Sequence, residues 1–266
     1  MLQVKSVFQV AAMQILRKLR VAVTPRSALL QTTLSNGLVV CGRNRAGYGG
    51  RGIYVYRESI EPEFEHLEAF LGSAGVFVDV GASVGIYTLK AAMHYRGGGV
   101  VIALEPFTEV FEALQSNVAA NRLTNVRARR LCAAARSGRR TLWLNRGRPS
   151  LFSLARRIDG ARGVSVETVA LDDLLPREGI ERVDYLKIDA EGAEEEILAG
   201  SRQTIERSRP IIQAEVGDRP FVPALPAYSA FHADGSPNLV HLPDEHPKIR
   251  VPERLGWRRV ASRGAS

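Results

Sequence analysis

From residue 76 onward the apolar positions alternate between two periods. "VFVDV" (76–80), "VVIALEP" (100–106), "NVRARRLCAAA" (125–135), "VDYLKIDAEG" (183–192) and "PIIQAEV" (210–216) read as strands, the more apolar of them as strands buried on both faces. Between them "VGIYTLKAAMHY" (84–95), "FTEVFEALQSNVAANRL" (107–123) and "AEEEILAGSRQTIERS" (193–208) repeat apolar residues at helical spacing. "RRTLWLN" and "VSVETVA" look like a strand pair inserted before residue 183, and "YSAFHADG" and "NLVHL" like a closing pair. Strand and helix in alternation predict an α/β fold with a mostly parallel sheet covered on both faces. Ligands of such sheets sit beyond the C-terminal strand ends, where strand order reverses.

The segment before residue 76 is patterned differently. Val4, Phe8, Ala11, Ile15 and Leu19 fall at helical spacing, while Gln3, Gln9 and Gln14 interrupt any apolar run long enough for a signal peptide or a membrane span. This helix is expected either to pack on its own domain or a partner, or to lie on a membrane surface. "SNGLVV" and "GIYVYRE" flank the loop "CGRNRAGYGGRG" and predict a long β-hairpin. "SIEPEFEHLEAFLGSAG" predicts one helix capped by Ser59, with Phe64, Leu67 and Leu71 on one face. The expected division is an extension over 1–51 and one large domain over 52–266, with a basic β segment inserted at 136–170.

The 45% apolar content suffices for a full core. Two cysteines, Cys41 and Cys132, make no disulfide framework and no metal spacing, which fits a reducing compartment. The expected location is cytoplasmic, with peripheral contact at the inner face of the membrane if the first helix binds lipid. Charge is unevenly placed. Residues 122–162 hold twelve Arg and a single acid, Asp159, a net +11 in a chain of net +8. A field of that sign attracts an anionic partner.

The chemistry gathers around "GASVG" (81–85), which matches both a G-x-S-x-G nucleophile elbow at Ser83 and a glycine-rich cofactor loop. An elbow needs an acid and a histidine downstream. Asp189 or Glu215 followed by His232, His241 or His246 supplies the order, but neither the preceding strands nor an oxyanion loop is present. A dinucleotide loop holds pyrophosphate, which Asp79 at the strand end would repel. A cofactor without phosphate fits better. S-adenosylmethionine carries a cationic ammonium and sulfonium beside an adenosine. Glycines let the backbone approach it, and Glu105, at the end of the next strand, suits its two ribose hydroxyls.

"FVDVGASVGIYTL", "ALEPF", "LDDL", "DYLKIDAEGAEEEILAG" and "PIIQAEV", spread over about residues 52–216, resemble the FkbM-type S-adenosylmethionine-dependent methyltransferases. The resemblance implies a three-layer α/β/α class I (Rossmann-like) fold with a sheet of about seven strands, and methyl transfer to hydroxyls of sugars, glycolipids or natural products. Ser83 stands where that family usually has Asn. Only twelve residues separate Glu215 from Tyr228, which leaves little room for a last helix before the closing strands. The cofactor set is assigned to Asp79, Gly81, Ser83, Gly85, Tyr87, Glu105, Pro106, Cys132, Ala133 and Asp189. Asp189, Glu191 and Glu215 are the candidate catalytic carboxylates. An alternative role for Asp189 and Glu215 is to share a Mg2+ that orients the hydroxyl. Arg148, Ser150, Ser153 and Arg156 are the candidate acceptor contacts, facing an anionic small molecule or glycan. An RNA methyltransferase using the Arg segment, and a cofactor-binding protein without activity, are the competing readings. Two aromatics, Trp143 and Phe152, make a poor stacking platform for nucleic acid. Oligomeric state is open.

Overall fold

The computed structural model describes residues 7–45, 49–144, 152–153, 162–190, 192–216 and 225–260. Its central sheet has eight strands. In chain order these are β3 (Val76–Val80), β4 (Val100–Leu104), β5 (Val126–Arg129), β10 (Tyr185–Ile188), β11 (Ile211–Glu215), β12 (Tyr228–His232), β13 (Asn238–Pro243) and β14 (Arg258–Val260). Their spatial order is β14-β12-β13-β11-β10-β3-β4-β5. The run from β5 to β11 is parallel, β13 is antiparallel to both its neighbours, and β14 adds an antiparallel edge strand. The antiparallel β13 wedged beside β11 in a mostly parallel sheet is the class I arrangement expected from the sequence. The order reverses between β3 and β10, so the crevice lies above their C-terminal ends.

Strand alternation explains the two covered faces. Phe77, Tyr185 and Ile211 point to one core, with α5 (Ile86–His94), α6 (Thr108–Ala120) and the N-terminal elements above it. Val78, Leu186 and Ile212 point to the other, beneath α7 (Leu171–Arg177), α8 (Glu194–Ala199) and α9 (Arg202–Ser208). The next residues on the first face break the apolar rule together. Asp79, Lys187 and Gln213 are register partners on three adjacent strands and form a buried polar rung.

Several elements differ from the sequence reading. The hairpin is real but lies earlier. β1 (Leu29–Thr33) pairs with β2 (Val39–Arg43) across "LSNGL", whose Gly37 has φ 86°. "GIYVYRE" forms α2 (Gly50–Tyr56) instead of a strand, because its apolar residues Ile53 and Val55 pack inward as the chain turns after Gly49 and Gly50. Residues 57–70 make three short helical turns, the 3-10 turn Arg57–Ile60, α3 (Pro62–Glu65) and α4 (Leu67–Phe70), since Pro62 starts a new one. Phe64, Leu67 and Leu71 are nonetheless buried on the predicted face. "NVRARRLCAAA" splits into β5 and β6 (Cys132–Ala133), which joins a second sheet with β9 (Arg162–Val169), β7 (Gly138–Leu144) and β8 (Phe152–Ser153). α7, α10 (Val251–Arg254) and β14 had no counterpart in the sequence reading. The N-terminal helix α1 spans Val7–Val23.

Candidate functional site

The "GASVG" loop turns from β3 into α5 with three left-handed residues in five: Gly81 (φ 72°), Ser83 (φ 53°) and Gly85 (φ 94°). At Gly81 only glycine fits, because a Cβ would stand 1.8 Å from the Asp189 carbonyl oxygen. The two loops above the sheet therefore touch through backbone. The loop's amides are directed at the protein. Gly81 and Ala82 donate to the Leu104 carbonyl, Gly85 donates to Ala82, and Ser83 donates to the Glu105 carboxylate (3.0 Å). None of these four is left to cradle a phosphate, which agrees with rejecting the dinucleotide reading. Among the described residues no histidine bonds to Ser83. His241 is buried in β13, where burial depresses its pKa to about 4, and His232 faces the Ser236 carbonyl. The nucleophile-elbow reading fails.

Two clefts share Gly81 and Asp189 as a common wall. The first is mostly apolar. Val80, Leu104, Leu131, Ala190 and Ile197 line it, together with Glu105, Pro106, Cys132 and Ala133 from the predicted cofactor set. Leu142 of the inserted sheet closes it. Glu105 is its one acid besides Asp189. One carboxylate oxygen accepts the Ser83 N–H and the other the Phe107 N–H (2.9 Å). Each oxygen keeps a second lone pair, as a vicinal diol requires. Burial lifts the Glu105 carboxyl to about 7, against the pull of those two amides. Burial also lifts the Cys132 thiol, to about 12, so this cysteine is a neutral apolar wall.

The second cleft is polar. It is lined by Gly49, Ile53, Ile60 and Glu61 from the N-terminal elements, by Ser83, Gly85 and Tyr87, and by Lys187 and Asp189. The Lys187 ammonium lies 3.1 Å from Asp189 Oδ2, 3.7 Å from Asp79 Oδ1 and 4.9 Å from the Tyr87 ring centroid. Burial works to lower its pKa, but Asp189, Asp79 and Glu61 outweigh burial and hold it above the ordinary lysine value. Tyr87 donates to Glu61 (2.6 Å) and accepts from Gln213 (3.0 Å), and Gln213 in turn accepts from Tyr185.

The placement of the predicted residues is uneven. Asp79 lines neither cleft. It lies fully buried in β3, where it accepts from Thr88 Oγ1 (2.6 Å) and faces Lys187, and burial pushes its carboxyl up. Tyr87 lines the polar cleft, but its hydroxyl is committed to Glu61 and Gln213. Glu215 ends β11 opposite Asn238, one strand farther from the crevice than Asp189, and lines neither cleft. Glu191, Arg148, Ser150 and Arg156 lie outside the described residues, and Ser153 is placed only by its backbone in β8. Glu194, in the first turn of α8, is buried and accepts the Ala190 and Gly192 amides (3.1 Å each), which fixes the loop after Asp189. Part of the basic segment is internally paired. Arg129 binds Glu178 through two nitrogens, Arg127 reaches the same acid, and Arg140 pairs with Glu196. Lys187, Glu61 and Gln213 were not singled out from the sequence. The available signal was a lysine inside the apolar strand "YLKI", since a buried ammonium requires carboxylate partners.

The apolar cleft, with the buried Glu105 carboxylate in its wall and a lone pair left on each oxygen, has the chemistry that an adenosine and its ribose hydroxyls would need. These residues fit S-adenosylmethionine. Asp189 and Glu215 do not fit a shared Mg2+, because the Lys187 ammonium already holds the cation position beside Asp189 and Glu215 lines neither cleft. Among the described residues no cluster of three or more His, Cys, Asp or Glu side chains is arranged for a metal.

The chain is similar to several known proteins. The chain is 28% identical over 196 residues to 31-O-demethyl-FK506 methyltransferase FkbM of Streptomyces tacrolimicus, covering 63% of this chain and 74% of that one. It is 38% identical over 63 residues to 2-O-methyltransferase NoeI of Sinorhizobium fredii, covering 24% of this chain and 25% of that one. Among solved structures it is similar to methyltransferase FkbM from Methylobacillus flagellatus KT, with a TM-score of 0.48, 17% identity and 72% of this chain covered; it spans about half (52%) of that chain. The model of the methyltransferase FkbM domain matches residues 79–244, more than half of the sequence. The chain belongs to the FkbM-domain family and is an S-adenosylmethionine-dependent methyltransferase.

Proposed function

We propose that the protein transfers a methyl group to a hydroxyl of an anionic sugar, glycan, glycolipid or natural product. One observation carries the reading: Asp189 stands on the wall shared by the two clefts, with its carboxylate anchored by a lysine whose own proton is held fast. Bound S-adenosylmethionine supplies an electrophilic methyl on its sulfonium. Glu105 and the apolar walls would hold its adenosine, and Gly81 lets the two loops meet at the wall between the clefts. The polar cleft admits the acceptor. Asp189 would accept the proton of an acceptor hydroxyl held in that cleft. Lys187 keeps that carboxylate oriented and stays charged, so it does not compete for the proton. Positioning supplies most of the acceleration in such an in-line displacement.

Two relatives are named for O-methyl transfer, which supports a hydroxyl as the target. The net +11 of residues 122–162 supports an anionic acceptor. The test supplies methyl-labelled S-adenosylmethionine to the protein with fractionated glycans, lipids and RNA. Base-stable label in a saccharide or lipid fraction is the expected result. Label confined to RNA, or none in any fraction with cofactor bound, rejects the reading.

A further inference from the structure

Helix α1 is inside out. Its residues of intermediate burial are Gln14, Arg17 and Val21, and this side rests on α2, where Arg17 donates to the Val55 carbonyl (3.3 Å). At about 100° per residue the opposite side carries Ala12, Ile15, Leu16, Leu19 and Val23 within an arc of about 100°. Ile15, Leu16 and Leu19 are each about 60% exposed and Val23 83%. A helix belonging only to its own domain turns such a stripe inward. Lys18 and Arg20 fall on opposite borders of the stripe, with Lys18 lying over the Tyr56 ring at 5.3 Å. Long basic side chains at those borders can reach headgroups while the apolar face sinks among acyl chains.

The surrounding charge selects the occupant. No Asp or Glu occurs before Glu58, whereas nine Lys and Arg residues do. Arg43 and Arg57 are paired with Glu109 and Glu58, but α1 itself carries Arg17, Lys18 and Arg20 and no acid, so a second copy would bring like charges together along the helix, while anionic lipid headgroups complement them. We propose that α1 docks the protein on an anionic lipid bilayer, with Ile15, Leu16, Leu19 and Val23 inserted and Lys18 and Arg20 at the headgroups. The consequence for the active site follows from α2. The same short helix that seats α1 through Val55 presents Ile53 to the polar cleft. Docking therefore fixes the cleft at a set distance from the lipid surface, where an acceptor carried on a lipid would be found.

The experiment is co-sedimentation of the full chain with vesicles of phosphatidylcholine alone or with roughly one third phosphatidylglycerol. Binding to the anionic vesicles, weakened by salt, is expected. Leu16→Glu with Leu19→Glu, both solvent-facing, should weaken it about tenfold or more, and Arg20→Glu by roughly fivefold or more. Cofactor affinity, measured on the same variants by calorimetry, should not change, and this keeps the result separate from the function proposed above. Equal sedimentation with both vesicle types, or undiminished binding by the Leu16/Leu19 variant, overturns the proposal. So does a dimer, seen by light scattering without lipid, that the same variant dissociates, since the stripe would then be a self-association surface.

Discussion

On the Glu105 side of Gly81 the crevice has apolar walls, one buried carboxylate and amides that all point inward; on the Tyr87 side it has Glu61, Lys187 and Asp189 within one polar network. The residues of the first cleft come largely from the ends of β3, β4, β6 and β10 and the loops and helix that follow. Fold and site there are one object. The second cleft draws Glu61 and Ile53 from N-terminal elements and Gln213, through Tyr87, from a strand more than a hundred residues later. The contrast divides the crevice into an apolar half built by the sheet and a polar half assembled from distant elements. It also predicts which substitutions damage both clefts and which only one.

The largest effect should come from Gly81→Ala. It places a Cβ 1.8 Å from the Asp189 carbonyl at a φ of 72°, on the wall common to both clefts. One loop must move, and a loss of about 3–5 kcal/mol is expected, roughly a 10 °C fall in Tm for a chain of this size. Cofactor and acceptor binding should fail together. A Tm within two or so degrees of the parent would mean that the loops do not meet as described.

Lys187→Met should follow, at about 3 kcal/mol, because it strips the buried Asp79 of its cation. Burial already pushes the Asp79 carboxyl up. A carboxyl with a raised folded-state pKa is a burden when ionised, so the deficit should shrink as pH falls and the group protonates. Adding Asp79→Asn should recover part of the loss in a double-mutant cycle. Additive effects would show that the rung is no coupled unit. Among the folded molecules the polar cleft should be disturbed more than the apolar one, so turnover should fall further than cofactor affinity.

Glu105 separates stability from binding in the apolar cleft. Its carboxyl titrates near 7 in the fold against about 4.5 ordinarily, so the folded state holds the proton more tightly. Stability contributed by this group is present below the ordinary value and is lost as pH rises through 7. The ribose hydroxyls require the ionised form, with both oxygens accepting, so cofactor affinity should move the other way. It should weaken about tenfold between pH 8 and pH 6, with a proton released on binding. Glu105→Gln should flatten this dependence, lower affinity by about 1.5–3 kcal/mol and leave the protein no less stable at pH 8. Calorimetry at several pH values decides it. A flat profile in the parent would remove Glu105 from the ribose site.

The contrast between the clefts also explains what the sequence disclosed. Glu105 and Gly81 were legible because a strand end and a glycine loop place them by local pattern; Cys132, inside what read as one strand, entered only through the family resemblance. Asp79 was legible as a residue but not in its direction; a period-two strand turns it into the sheet face beneath α5, toward Lys187. Lys187 was hidden by its neighbours, since "YLKI" reads as an apolar strand unless the carboxylates across the sheet are known. Glu61 and Gln213 belong to the site only through tertiary contacts that no spacing encodes. The same reason misplaced the hairpin: "GIYVY" alternates like a strand, and packing of Ile53 and Val55 made it a helix.

The smallest effect concerns Ser83, which faces the polar cleft from a left-handed backbone position (φ 53°). Serine gains nothing there, whereas asparagine tolerates this conformation better than other residues with a side chain, glycine apart. That preference accounts physically for the asparagine usual in the family. Ser83→Asn should therefore stabilise the fold, by about 0.5 kcal/mol and a degree or two in Tm. A counterforce exists. The Ser83 hydroxyl already lies close to Gly49, where an added Cβ would be 2.9 Å away, so the longer side chain must extend into the cleft that Ser83 lines. Relief of backbone strain acts on stability, and occupation of the cleft acts on the acceptor. The expected outcome is a raised Tm, unchanged cofactor affinity, and a raised acceptor KM with kcat nearly constant. If KM for the acceptor stays unchanged while cofactor affinity falls, Ser83 belongs to the cofactor's side of the wall, and the boundary between the two clefts must be redrawn there.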